Sequence, residues 1–326
     1  MGLLIVTGGA GFIGANLVSA LNDRGAENIV IVDHLTEGIK WKNLLGLKFI
    51  DYIEKDEFLE LLNSNYFGKI DTIFHLGACS DTTVKNFRYL YDNNYKYSKE
   101  LAKYCIEKGV RFIYASSAAT YGDGSLGFSD DHKLIPKLKP LNPYGFSKQL
   151  FDLWLYYNGL LDKVVGLKYF NVFGEKEFHK GEMRSVVLKA YEQIKKTGKV
   201  RLFKSYHPDY PDGGQKRDFI YVKDAVKMTL FFWENPNVNG IFNVGTGKAR
   251  TFKDLVLAVF SALGIEPNIE YIDMPENLKK QYQYFTQANI TKIKKAGYNK
   301  PITSLEEAVK SYVNWLETQD IYGTIP

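Results

Sequence analysis

The 326-residue chain predicts an α/β protein with a parallel, doubly wound sheet covered by helices on both faces, followed by a smaller C-terminal α/β domain. Three observations carry that expectation. Short β-branched and aromatic runs alternate with helix-length amphipathic stretches, the rhythm of strand–helix–strand units. A glycine-rich turn, Gly8-Gly9-Ala10-Gly11-Phe12-Ile13-Gly14, ends the first run and opens the first helix. After residue 170 the rhythm loosens, and there the smaller domain is expected.

The runs Leu3 to Thr7, Ile29 to Asp33, Thr72 to His75, Phe112 to Ser116 and Val164 to Tyr169 are short, apolar and bounded by turn residues, so they read as buried strands. Helical stretches fall between them at 12–24, 55–64, 86–108 and 143–159. Tyr206 to Gln215 is rich in Pro, Gly and Asp and reads as a loop.

Composition narrows the function classes. Hydrophobic residues are 45% and charged residues 24%, ordinary values for a globular chain. The net charge of +5 is spread along the sequence, a weak lean toward anionic ligands without the footprint of a nucleic-acid binder. Two cysteines, Cys79 and Cys105, exclude a disulfide framework and suit a reducing compartment. The first residues lack a basic n-region and a cleavage site, and no apolar run reaches the ~18 residues of a membrane span. A soluble cytoplasmic protein is expected. His34, His75, His132, His179 and His207 are too far apart for a helical ligand pair, so no metal site is expected.

The glycine turn has a physical reading. Gly8 permits the tight turn, Gly11 removes a side chain where backbone must approach a pyrophosphate, and Gly14 lets helix and strand pack closely. The helix start then offers free N–H groups to phosphate. Asp33 ends the second strand, where an acid holds adenine-ribose hydroxyls and favours NAD. His34 and Lys40 follow, and cations there would take a 2′-phosphate instead, or serve as plain surface charge. Leu76-Gly77-Ala78-Cys79-Ser80 follows the third strand, where small residues leave room for a ligand. Cys79 reads as packing, since no histidine is placed to activate it.

Tyr144 and Lys148 stand at i and i+4, on one helix face. A phenol of pKa ~10 is a poor base at neutral pH. A lysine one turn away and a positive nicotinamide favour the phenolate, which can then take a proton from a hydroxyl. Ser117, at the end of the fourth predicted strand, can donate to the same oxygen.

The glycine turn, Ser117 and Tyr144-x-x-x-Lys148 together resemble the extended short-chain dehydrogenase/reductase family of sugar-nucleotide enzymes, over nearly the whole chain. The resemblance implies a Rossmann-type cofactor domain (1–169, with about 218–246 and 285–300) and a substrate domain (170–217, 247–284 and 301–326). Dehydratases of the family carry an Asp-Glu pair after the serine position; this chain has Ala118-Ala119-Thr120 there, which leaves epimerases and reductases. His75 to Ser80, Asp92 to Tyr95, Ala115 to Gly122, Tyr169 to Val172, His179 to Gly181 and Phe285 to Ala288 resemble the branch that inverts carbon 6 of ADP-linked heptoses for the lipopolysaccharide core.

That branch implies NADP, one per subunit, with NAD possible, and a homo-oligomer, a pentamer by family habit, pairing through helices such as 86–108 and 143–159. Lys180 matches a second acid/base; the lesser reading is a phosphate or surface lysine, since a loop lysine beside Gly181 is a common phosphate contact too. Lys55, Asn93 and Val172 match cofactor contacts. Ser80, Asn171, Glu182, Lys189, Phe203, Lys204, Ser205, Arg217 and Tyr282 match the substrate side. Arg217 is open to a second reading, an ion pair with Asp218. Glu182 and Lys189 stand where the pattern shows Ser and His, and His34 replaces an Asn. The rival readings are a nucleotide-sugar 4-epimerase or reductase of the same fold and, in a different class, a cofactor-binding redox sensor.

Overall fold

The computed structural model describes residues 2–279 and 282–319. The expected substrate domain therefore includes residues 280–281 and 320–326 that lie outside the described part. In chain order the first half runs β1 (Leu3–Thr7), α1 (Phe12–Asn22), β2 (Ile29–Asp33), β3 (Asp51–Glu54), α2 (Lys55–Asn63), β4 (Ile70–His75), α3 (Phe87–Leu90), α4 (Tyr97–Lys108), β5 (Arg111–Ser117) and α5 (Pro143–Tyr157). The second half runs β6 (Val165–Tyr169), β7 (Asn171–Phe173), α6 (Val186–Thr197), β8 (Val200–Phe203), β9 (Lys216–Arg217), β10 (Phe219–Tyr221), α7 (Val222–Glu234), β11 (Gly240–Val244), β12 (Arg250–Thr251), α8 (Phe252–Leu263), β13 (Ile269–Ile272), α9 (Glu276–Lys279), α10 (Thr291–Lys295) and α11 (Leu305–Thr318).

Seven strands form one parallel sheet in the order β11-β6-β5-β4-β1-β2-β3. β1, β2, β6 and β11 are buried at every residue, as expected of strands covered on both faces. Alternation along β1 sends Leu4 and Val6 into one apolar layer and Leu3 and Ile5 into the other. The first layer also takes Leu17 and Val18 of α1 and Phe231 of α7; the second takes Leu101 of α4 and Phe151 and Leu155 of α5. Three two-stranded sheets, β7–β10, β9–β12 and β8–β13, are built from the later part of the chain.

The five strands read from sequence are present, with ends shifted by a residue or two. Four differences matter. β3, a four-residue edge strand, and β11, which closes the far edge, were not anticipated. The expected helix over 86–108 is divided by a π-helical turn, Tyr91–Lys96. The run Asp218 to Val222, which reads as a strand, is present but shorter, as β10, with Asp218 separating it from β9.

Candidate active site

β1 lies between β2 and β4, which connect away from it in opposite directions. That arrangement opens a crevice beyond the strands' C-terminal ends. The glycine turn after β1 forms one wall. Gly8 has φ +70°, and a Cβ on it would lie 2.6 Å from the Gly77 backbone nitrogen. A Cβ on Gly14 would lie 2.0 Å from the Gly8 carbonyl oxygen. Both positions exclude a side chain. α1 begins at Gly11 without a side-chain cap, leaving its first N–H groups for an anion. The cradle fits a dinucleotide's pyrophosphate.

A cavity of about 470 Å³ occupies the crevice. Gly8, Gly11, Phe12, Ile13, Gly14, Asp33, Lys40, Leu76, Gly77, Ala78, Cys79, Ser80, Ser117, Tyr144, Lys148, Val172 and Lys180 line it. A side chamber of about 170 Å³ shares Gly8, Asp33, Lys40 and Gly77 and adds His34, Lys55 and Asn93. The structure thus gathers the cofactor residues expected from sequence around one connected space. Asp33 is already engaged: it accepts from the backbone N–H of Ala10 (2.8 Å) and of His34 (2.7 Å) and pairs with Lys40. The His34 ring turns instead to Glu54, at 3.3 Å. Lys55 donates to Asn93 at 2.9 Å.

Asn142 caps α5 by accepting from the Gly145 N–H at 2.8 Å, and Pro143 occupies the first turn, a strong helix start. The helix places Tyr144 and Lys148 on the cavity wall. Ser117 hydrogen-bonds the Tyr144 phenol and favours its ionised form, yet burial outweighs this and raises the phenol's pKa. The sequence reading asks for the lysine and a positive nicotinamide together to favour the phenolate; with the lysine alone, the phenol's pKa stays raised. Lys148 donates to the Ala115 carbonyl at 2.9 Å. Burial lowers its pKa to about 8, with the Asp152 carboxylate one turn on pulling the other way.

Asp152 accepts from Tyr114 (2.8 Å), Ser116 (2.8 Å) and Lys168 (2.6 Å), and Lys168 also donates to Thr120 at 2.6 Å. Asp152 and Lys168 are 0% and 1% exposed. Asn94, in the π turn, is fully buried too. It accepts from the Cys79 N–H (2.8 Å), donates to the Cys79 carbonyl (2.9 Å) and donates to Ser147 (3.0 Å), joining the Leu76–Ser80 segment to α5. Burial raises the Cys79 thiol's pKa. His75 is a core histidine between Thr7 and Ser98, held neutral by burial with a pKa of about 3.

Lys180 lines the same cavity as Tyr144 and Lys148, with its ammonium 4.9 Å from the centre of the Phe12 ring. Burial lowers its pKa, opposed by Glu177. His179 also lines the cavity and was not singled out from sequence. Burial, then Lys40 and Lys180, lower its pKa to about 4.

A second cavity, about 650 Å³, lies under α6, β8 and α8. Lys189, Phe203 and Tyr282 line it, with Lys199, Arg201 and Phe252. Arg217 is buried between the rings of Phe252 and Tyr282, its guanidinium carbon 5.6 and 5.4 Å from their centres. Asp218 is not its ion partner: that carboxylate accepts from Thr246, Gly247 and Ala288. Arg217 and four other expected substrate residues lie outside both cavity walls. Asn171 is exposed at the start of β7. Glu182 is 91% exposed and pairs with Lys189 at 3.2 Å, so the two departures from the family pattern answer each other. Lys204 pairs with Asp273 at 3.2 Å, and Ser205 is tied to Asp212 and His207. Among the described residues no group of three or more His, Cys, Asp or Glu could hold a metal ion, and no helix is long and apolar enough to cross a membrane.

The sequence model of the NAD dependent epimerase/dehydratase family matches residues 4–245. An ADP-L-glycero-D-manno-heptose-6-epimerase of Nitratidesulfovibrio vulgaris is 56% identical over 312 residues, 95% of this chain and 97% of that one. The enzyme so named from Fusobacterium nucleatum is 46% identical, over 98% of this chain and 100% of its own. Among solved structures, the Helicobacter pylori ADP-L-glycero-D-manno-heptose-6-epimerase superposes with a TM-score of 0.82 at 28% identity, covering 98% of this chain and 97% of that one. Thermus thermophilus UDP-glucose 4-epimerase in complex with NAD follows at 0.77 and 25%, covering 97% of this chain and 99% of that one. With the glycine cradle, the Tyr144–Lys148 pair and Lys180 on one cavity and relatives of this kind over nearly its full length, the chain belongs to the NAD dependent epimerase/dehydratase family, in its ADP-L-glycero-D-manno-heptose-6-epimerase branch.

Proposed function

We propose that this protein inverts carbon 6 of ADP-D-glycero-D-manno-heptose with bound NADP. The observation that carries the reading is a single cavity lined by the glycine cradle and by Ser117, Tyr144, Lys148 and Lys180. Carbon 6 has no neighbouring carbonyl, so its hydrogen is not acidic and direct deprotonation is closed. A nicotinamide dinucleotide, when bound, accepts and returns a hydride. The protein's own groups manage protons and position. Tyr144 takes the hydroxyl proton while Ser117 donates to the same oxygen. Lys148, held on the Ala115 carbonyl, supplies positive charge beside the phenol. The two epimers place their hydroxyls on opposite sides, and Lys180 serves the second as Tyr144 serves the first.

On this reading the 650 Å³ cavity takes the ADP portion, with Tyr282 and Arg217 beside it and Lys189 and Phe203 in its wall. Phe203 offers a ring for stacking, and the basic groups suit the diphosphate. The cofactor sits with residues 1–169 and the sugar nucleotide with the small sheets. Exposed Tyr89, Phe146 and Tyr157, on α3 and α5, support a homo-oligomer in which a second subunit covers them. The setting is cytoplasmic.

The test is turnover in D2O. Hydrogen at carbon 6 is expected to stay unlabelled as the epimer forms; deuterium appearing there would overturn hydride return. Cofactor choice has its own measurement. Lys40 beside Asp33 is expected to hold the 2′-phosphate, so Lys40→Ala should reduce the preference for NADP over NAD about tenfold, the worth of one charge-assisted hydrogen bond. An unchanged ratio of the two Kd values removes Lys40 from that role.

A further inference from the structure

The loop that carries Lys180 is closed by one buried carboxylate. Glu177 is 0% exposed, three residues before Lys180. One of its oxygens accepts from the Ser185 hydroxyl (2.6 Å) and the Gly174 N–H (3.4 Å), and the other from the Ser185 N–H (2.6 Å). Gly174 directly follows β7, and Ser185 caps α6 by accepting from the Leu188 N–H at 3.2 Å. A single side chain therefore joins the two ends of the segment that puts His179, Lys180 and Met183 into the cavity wall.

The approach to Glu177 is constrained as well. Lys176 has φ +72°, a left-handed conformation that a side chain other than glycine rarely adopts. Asn43 holds it from both sides. The Asn43 amide donates to the Lys176 carbonyl at 3.1 Å, and the Lys176 ammonium donates to the Asn43 carbonyl at 2.7 Å. Within the loop, the Lys180 N–H returns to the Glu177 carbonyl at 3.1 Å. Backbone strain held at a ligand-facing loop marks a segment whose conformation is over-determined by its surroundings.

We infer that Glu177 is a positioning residue for Lys180, a carboxylate that closes the loop bearing it and sets a negative charge near its ammonium. The inference rests on the proposed role of Lys180 as the second acid/base. The titratable groups around Lys180 are Glu177 and His179 of its own loop and, on the same cavity wall, Lys40 with its partner Asp33, Tyr144 and Lys148; Tyr312 of α11 packs on Glu177. Burial drives the Lys180 proton off and Glu177 retains it, while Lys180 in turn resists the protonation of Glu177 that burial favours.

The experiment compares kcat against pH for wild type, Glu177→Gln, Ser185→Ala and Lys180→Met, with NADP Kd measured on each. Removing the Glu177 charge makes Lys180 release its proton more readily. The limb of the profile that reports Lys180 is expected to move at least one pH unit lower in Glu177→Gln, with kcat down about 10-fold or more and Kd for NADP within about 3-fold. A wild-type profile in Glu177→Gln overturns the inference. Should that variant not fold, Ser185→Ala removes one bond to the carboxylate, together with the α6 cap, and no charge; a several-fold fall in kcat with unchanged limbs and unchanged NADP Kd supports the inference, and unchanged kcat, or an equal loss of NADP affinity, overturns it. Full turnover by Lys180→Met identifies a different failure, that of the acid/base role itself.

Discussion

Tyr144→Phe is expected to lower kcat by about 10²–10⁴, the usual worth of a positioned acid/base group. The substitution removes one oxygen and keeps the ring, so α5, its Asn142 cap and the cavity wall stay in place. Cofactor affinity should change only a few-fold. The phenol's raised pKa sharpens the expectation: without ligand, burial keeps it protonated despite the hydrogen bond from Ser117. On the proposed mechanism it would act as a base once a positively charged cofactor ring joined the Lys148 ammonium in the cavity. Single-turnover kinetics beside NADP titration separate the two effects. A rate within a few-fold of wild type would remove Tyr144 from the chemistry.

Lys168→Met is expected to cost about 3–5 kcal/mol of stability, because it leaves the Asp152 carboxylate buried without its ion partner. Asp152 would keep its bonds from Tyr114 and Ser116, which are too few to replace an ammonium at 2.6 Å. Lys168→Met with Asp152→Asn should recover much of the loss, since a neutral pair carries no unpaired charge. Denaturant unfolding of both single variants and the double variant gives the coupling. Equal losses that simply add would show that the pair contributes nothing as a pair. The network reaches the chemistry from behind. Thr120 binds Lys168 and the Ser117 carbonyl, Ser116 binds Asp152, and Lys148 lies one turn from Asp152 on the same helix.

Much of the architecture was legible because its signals are local. Continuous apolar runs give doubly covered strands, and the glycine turn lies where strand meets helix. β3 escaped because Asp51-Tyr52-Ile53-Glu54 is a four-residue edge with one fully buried position, too short to show a pattern. The π turn escaped because its residues read as ordinary helix. Asp152 could have been found: it continues the i, i+4 series of Tyr144 and Lys148 on one face. Lys168 could have been found too, as a charge inside an apolar strand that demands a partner. Asn94 gave the same signal, a polar side chain on a helix's buried stripe. Glu177 gave none. Its role depends on Gly174 and Ser185 meeting across a loop, and on the burial that their meeting creates. The second cavity was unreadable for a like reason, since α6, β8 and α8 converge only in the folded chain.

The widened turn at Tyr91–Lys96 has an effect beyond its own backbone. It accommodates one more residue than a regular coil would, so the rod is phased differently before and after it. Asn93 meets Lys55 in the side chamber and Asn94 meets Cys79, two neighbours working in separate rooms. Excising a single residue there would restore regular winding and swing everything upstream by about 100°. Phe87 would leave Phe146, and Asn93 would lose Lys55, while the clasp on Cys79 downstream kept its bearing. An apparent irregularity thus sets the phase between the front of the rod, which packs on α5 through Phe87, and the rear, which packs on the sheet through Leu101.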